Sequence, residues 1–131
     1  MATVRETSAM IAGMDPELRP GAFVFATSDA PDLVASAAAS VEEPEGRSLL
    51  LPEPVARAAG FEGPAMAWIV LRVASDLEGV GLTAAAAGAL AARGLPCNVV
   101  AGHRHDHLLV PADRAEEAVE ALRLRALEER G

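Results

Sequence analysis

Aromatic side chains make up only 3% of this sequence, and tyrosine is absent. Phe, Tyr and Trp bury the largest areas per residue, so the interior must be filled by Ala, Val and Leu at close backbone approach. Cysteine occurs once, at Cys97, which excludes an intrachain disulfide framework and a CxxC redox pair. A basic surface is missing too: the formal net charge is −8 and the pI about 4.8, which opposes binding to nucleic acid or to an anionic membrane. No apolar run reaches the roughly 18 residues of a membrane span. The N-terminal stretch MATVRETSAMIAGMDPELRP is broken by polar and acidic residues where a signal peptide would stay apolar. The expectation is a soluble, cytoplasmic protein. With 131 residues, 51% of them hydrophobic, it forms one compact domain or two small halves sharing a core.

The clearest pattern lies between Trp68 and Val110. An apolar strand, Trp68 to Ala74, runs into the turn Ser75-Asp76-Leu77-Glu78-Gly79. The spacing Ser75-x-x-Glu78 reads as a capping box opening an Ala-rich helix, with Leu82, Ala86, Ala89 and Leu90 on one face and Gly94 as its stop. Leu95-Pro96 leads to a second strand, Cys97 to Gly102, then a polar turn, His103 to Asp106, and a third strand, His107 to Val110. A last helix opens at Asp113-x-x-Glu116 and carries a buried stripe of Ala115, Ala118, Val119, Leu122 and Ala126. Strand–helix–strand–strand–helix is most of a split βαβ, ferredoxin-like unit.

The first half is less regular. A short amphipathic helix is predicted over Val4–Met14, closed by Asp15-Pro16. Ala22–Thr27 reads as a strand, Ser28–Val34 as a loop, and Ala35–Ser40 has no assignable pattern. Glu42 to Gly46 forms an acidic turn before a strand at Arg47–Leu51 and a short helix at Glu53–Ala59. No direct sequence repeat is visible between the halves.

Three places could carry chemistry. The first is Ser75 to Leu82. Gly79 and Gly81 cost about 1 kcal/mol each relative to alanine in a helix interior, which makes sense where a backbone or ligand comes close. Free N–H groups at a helix start suit a carboxylate, while Asp76 and Glu78 would attract an ammonium group. A zwitterion such as an α-amino acid satisfies both. Close helix–sheet packing explains the glycines equally well. The second is His103-Arg104-His105-Asp106-His107. His103, His105 and His107 would share one side of a strand and could hold a metal, whereas a tight turn would scatter them and leave Asp106 to fix a backbone N–H or an imidazole tautomer. The third is Asn98, a polar residue in an apolar strand that needs partners if half-buried. Cys97 beside it has no basic neighbour in sequence to lower its pKa and reads as core.

The run SDLEGVGLTAAAAGALAARGLPCNVVAGHRHDHLLVPADRAEEAVEAL, Ser75 to Leu122, resembles small bacterial proteins built of ACT-like domains. The shared features are a Leu-Glu turn, VGLTAA, a helix, the strand NVVAG, HDH, and VP before the last helix. Gly21-Ala22-Phe23-Val24-Phe25 and Glu43-Pro44-Glu45-Gly46 are similar to that family's first half, while Arg47-Ser48 and His103-Arg104 depart from its pattern. The resemblance implies an α+β, ferredoxin-like (βαββαβ-type) fold: an antiparallel sheet with helices packed on one face, in two tandem ACT-like halves, an incomplete one at 1–63 and a fuller one at 64–131. It also implies a small-molecule ligand, an amino acid, near the loop after the first strand. That loop corresponds to Ser75, Asp76, Leu77, Glu78, Gly79, Val80, Gly81 and Leu82, faced by the strand from Asn98 to Gly102.

The expectation is therefore a non-catalytic, homodimeric ligand sensor without a cofactor. The ligand carboxylate would lie on N–H groups around Gly79 to Leu82 and its amine on Asp76 or Glu78. Asn98 and His105 or Asp106 would close the site. A metal site at His103, His105 and His107 is the alternative from a different class, and a ligand-free interaction module is a third.

Overall fold

The computed structural model describes residues 2–131. The element order is α1 (Thr7–Ala12), β1 (Pro16–Leu18), β2 (Phe23–Thr27), α2 (Pro31–Ser36), β3 (Ala39–Glu43), β4 (Gly46–Pro52), α3 (Glu53–Ala58), β5 (Met66–Leu71), α4 (Leu82–Ala91), β6 (Asn98–Ala101), β7 (Asp106–Pro111) and α5 (Ala115–Arg130). One seven-stranded sheet runs β3-β4-β2-β5-β7-β6, with β1 also on β5. Every strand pair is antiparallel. Strand–helix–strand–strand–helix therefore occurs twice, from β2 to α3 and from β5 to α5, and the two units meet at the centre of the sheet. They join there through a single register pair, Phe23 with Met66. The rest of that β5 edge is taken by β1, which pairs Pro16, Glu17 and Leu18 with Leu71, Val70 and Ile69.

Alternation along β5 sends Ala67, Ile69 and Leu71 to one face and Met66 and Trp68 to the other. The first set packs under α1, α4 and α5 with Leu108, Val110, Leu122 and Leu90. A smaller cluster, Val24, Leu49, Leu51 and Ala56, lies beneath α2 and α3. Phe23, Leu50, Met66, Trp68 and Leu109 form the opposite face from strand residues alone, yet each is buried. Ala39 on one sheet edge and Val100 on the other both pack against this cluster. The sheet is thus curled, with its second face folded in on itself and its helices on the outer face.

Residues 4 to 18 do not stay with the first half. Met10, Ile11 and Met14 belong to the core of the second, and β1 completes its strand set.

Local departures from the sequence reading have specific causes. The stretch Ser28–Val34 is not all loop: α2 starts at Pro31, whose fixed φ suits the first helical position, and the Ser28 hydroxyl accepts the Ala30 N–H at 3.1 Å. Glu42 and Glu43 extend β3, so the hairpin loop shrinks to Pro44-Glu45 with Gly46 at φ +130°. Neither capping box forms. Helix α4 begins only at Leu82, with Gly81 at its N-cap (φ +106°) and no side-chain cap. Helix α5 follows a short 3-10 turn at Ala112–Arg114, and Arg114 pairs with Glu117 instead. The α5 stripe of Ala115, Ala118, Val119, Leu122 and Ala126 is buried as its spacing requires.

Candidate functional site

The loop between β5 and α4 is shaped by its own aspartate. Asp76 Oδ1 accepts the Glu78 N–H at 2.8 Å, and the Gly79 N–H returns to the Asp76 carbonyl at 2.9 Å, giving a tight Asx turn. The turn uses the donor that a capping box would have required, which is why the helix starts later. Asp76 Oδ2 accepts the Thr3 hydroxyl at 3.0 Å. The Glu78 N–H first, and Thr3 second, hold the Asp76 carboxyl below the usual carboxylate range.

The N-terminal segment lies along this loop. Val4 donates to the Ala74 carbonyl at 2.7 Å and accepts from the Asp76 N–H at 2.9 Å, and the Thr7 hydroxyl donates to the Val80 carbonyl at 2.6 Å. The glycines serve this contact. A Cβ on Gly79 would stand 2.7 Å from Met10 Sδ, and one on Gly81 would stand 2.8 Å from Thr7 Cγ2. On the other side the Ser75 N–H donates to the Arg104 carbonyl at 2.9 Å, drawing the His103-Arg104 turn against the loop.

These elements surround a cavity of about 310 Å³ lined by Thr3, Asp76, Leu77, Glu78, His103 and Arg104. Carboxylates and a guanidinium share one space in the loop ahead of α4. Leu77 and Val80 are strongly exposed, 72% and 74%, on the same loop. Leu82 is not at the surface; it is 4% exposed and fills the core.

The remaining candidates are dispersed. Asn98 is exposed at the start of β6 and lines a separate groove of about 450 Å³ together with Val99 and Val100 of β6 and Ala39 and Val41 of β3. It is neither half-buried nor beside the loop, because β6 is unpaired on that side. His105 belongs to the turn closed by the Gly102 N–H on its carbonyl at 2.9 Å. Asp106 is buried; burial raises its pKa, and His107, the Thr83 side chain on α4 and His105 partly offset that rise. It does not line the cavity. Among the described residues no three His, Cys, Asp or Glu side chains come together as a metal set. The tight turn separates His103, His105 and His107, and His107 is committed elsewhere. Cys97 packs partly buried against the main core, and burial raises its pKa. Thr3, Arg5 and Arg104 were not candidates from sequence. Arg104 stood inside the HRHDH motif, whereas Thr3 and Arg5 become relevant only once the chain end folds back 73 residues onto the loop.

His107 Nδ1 accepts the Trp68 indole N–H at 3.0 Å, and the rings meet edge to face. Arg19 lies over the indole, 4.1 Å from its centroid. Burial first, then His105 and Arg19, push the His107 pKa below 6.5, with Asp106 opposing. The folded state therefore binds fewer protons here than the unfolded chain. Stability from this group is fully present above about pH 6.5 and is lost as pH falls through the lower folded value. Protonation also removes the acceptor that Trp68 uses. Trp68 is the one tryptophan in the chain, so its fluorescence should change in a single acid step with a midpoint below 6.5 that His107→Phe abolishes. A midpoint at or above 6.5 would contradict the assignment.

Family profiles describing an ACT domain match residues 2–67 and 66–123. No curated protein matches the chain. Among solved structures, a Vibrio cholerae protein of unknown function, described as a possible transport protein, is 40% identical with a TM-score of 0.79, covering 88% of this chain and 92% of its own. The regulatory subunit of aspartate kinase from Thermus thermophilus, in a ligand-free form, is 14% identical with a TM-score of 0.63 over 87% of this chain and 97% of its own. The same subunit from Thermus flavus is also 14% identical, with a TM-score of 0.59 over 85% and 96%. The fold expectation of an antiparallel sheet with outer helices in two ACT-like halves thus agrees with both the structure and its neighbours. The chain belongs to the ACT-domain family.

Proposed function

We propose that this protein binds a small zwitterion of the amino-acid class in the cavity between the Asp76–Gly81 loop and the His103-Arg104 turn, and acts as a non-catalytic regulatory or sensing module. The observation that carries the reading is that side chains of opposite charge, Glu78 and Arg104, line that one cavity. The ligand carboxylate goes to Arg104. The ammonium goes to Glu78, because both Asp76 oxygens already accept hydrogen bonds, one from the Glu78 N–H and one from the Thr3 hydroxyl. The Thermus relatives are regulatory subunits, which supports a regulatory role on this fold. The exposed Leu77 and Val80 and the free edges of β3 and β6 support a homodimer. Among the described residues no helix is long and apolar enough to cross a membrane, and a cytoplasmic setting is part of the same reading.

Thermal unfolding against the twenty amino acids and a panel of divalent metals tests it. An amino acid at about 100 times its dissociation constant adds roughly 2.7 kcal/mol. The shift should shrink in both Glu78→Gln and Arg104→Gln. No shift with any amino acid would overturn the proposal, and a shift with zinc alone would move attention to the histidine turn.

A further inference from the structure

We propose that the N-terminal segment Thr3–Thr7 is a working wall of this ligand site, in which Arg5 occupies Glu78 as an internal stand-in for the ligand ammonium and Thr3 positions the acidic loop. The inference rests on the amino-acid reading and adds to it a part of the chain outside the second ACT unit's own strands and helices. Val4 is pinned on both sides, its N–H on Ala74 and its carbonyl on the Asp76 N–H. Alternation about that extended residue sends the side chains of Thr3 and Arg5 the same way, and both reach the loop. The Thr3 hydroxyl holds Asp76 Oδ2 at 3.0 Å and lines the cavity. The Arg5 guanidinium stands 3.6 Å from the Glu78 carboxylate, with both side chains exposed. Just beyond, Thr7 fixes Val80 at 2.6 Å.

A ligand ammonium that takes Glu78 must displace Arg5. An exposed pair of this kind is weak, so the exchange is easy and leaves Arg5 free while Thr3 and Thr7 keep the loop in shape. The segment therefore sets affinity. Removing the internal cation should tighten amino-acid binding about two- to five-fold. Releasing Asp76 should loosen the Asx turn that places Glu78 and so weaken binding by a similar factor.

The test is calorimetric titration of each of the twenty L-amino acids into the full chain and into Arg5→Gln, Glu78→Gln, the double variant, Thr3→Val and Thr3→Ser, with thermal unfolding of each as a check on the fold. The expected result is tighter binding in Arg5→Gln, no effect of Arg5→Gln once Glu78 is Gln, weaker binding in Thr3→Val and recovery in Thr3→Ser. A merely structural role for Arg5 would not vanish in the Glu78→Gln background. Amino-acid binding that is indifferent to Arg5 and Thr3 would overturn the wall and leave the ligand reading standing. No binding in any of the proteins would overturn both.

Discussion

Trp68→Ala should destabilise the protein by about 3–5 kcal/mol, the range for emptying a large buried aromatic site. Trp68 is 5% exposed at the middle of the central strand. Its ring packs edge to face on Phe23 at 4.9 Å and on His107 at 5.4 Å. The face it occupies is roofed by strand residues alone, so no helix can settle into the vacated volume. Three of the four aromatic residues in the chain are phenylalanines, and only Phe23 adjoins this site within ring contact. Trp68→Phe separates the contributions: it keeps most of the apolar area and loses the hydrogen bond to His107 Nδ1, an effect of about 1–2 kcal/mol. Unfolding must be followed by circular dichroism, because the substitution removes the fluorescent probe. A loss below about 1 kcal/mol in Trp68→Ala would show that the inner face of the curled sheet contributes little.

Gly81→Ala should cost about 1–3 kcal/mol. The position has φ +106°, where an L side chain is strained, and its Cβ would meet Thr7 Cγ2 at 2.8 Å. Thr7→Ser removes that methyl and keeps the hydroxyl that bonds the Val80 carbonyl. The double variant should therefore recover part of the loss, and the backbone strain should keep it below wild type. Full recovery would place the whole cost in the collision. Because the fold itself requires this glycine, its replacement does not separate a ligand site from a packing contact. Glu78 and Arg104, both at the surface of the cavity, do separate them.

The parts of the fold that were legible in the sequence were those governed by local periodicity. The α5 stripe repeats at helical spacing over sixteen residues, and β5, β6 and β7 are short apolar runs bounded by turn residues. What could not be read depended on partners far away in the chain. Strand β1 is three residues long and exists only because Ile69–Leu71 leaves its edge free beyond Phe23. The capping box at Ser75 satisfied a spacing rule, but Asp76 sits closer to the Glu78 N–H and takes it first. Asn98 looked half-buried because its neighbours are apolar, while the burial of β6 depends on a sheet edge that has no partner. The site shows the same division. The loop and the HRHDH turn were visible as polar residues gathered at the joints of one unit. That Arg104 rather than Asn98 faces the loop, and that Thr3 and Arg5 join it, follows from two long-range backbone contacts, Ser75 with Arg104 and Val4 with Asp76.

The most direct test of the account is to map backbone amide chemical shifts of the isotopically labelled protein as each of the twenty amino acids is added. The expected result is a saturable change for at least one of them, confined to Thr3–Thr7, Asp76–Leu82 and His103–Arg104. Changes centred on the groove between β3 and β6 or along the outer faces of α4 and α5, or no change with any amino acid, would contradict it.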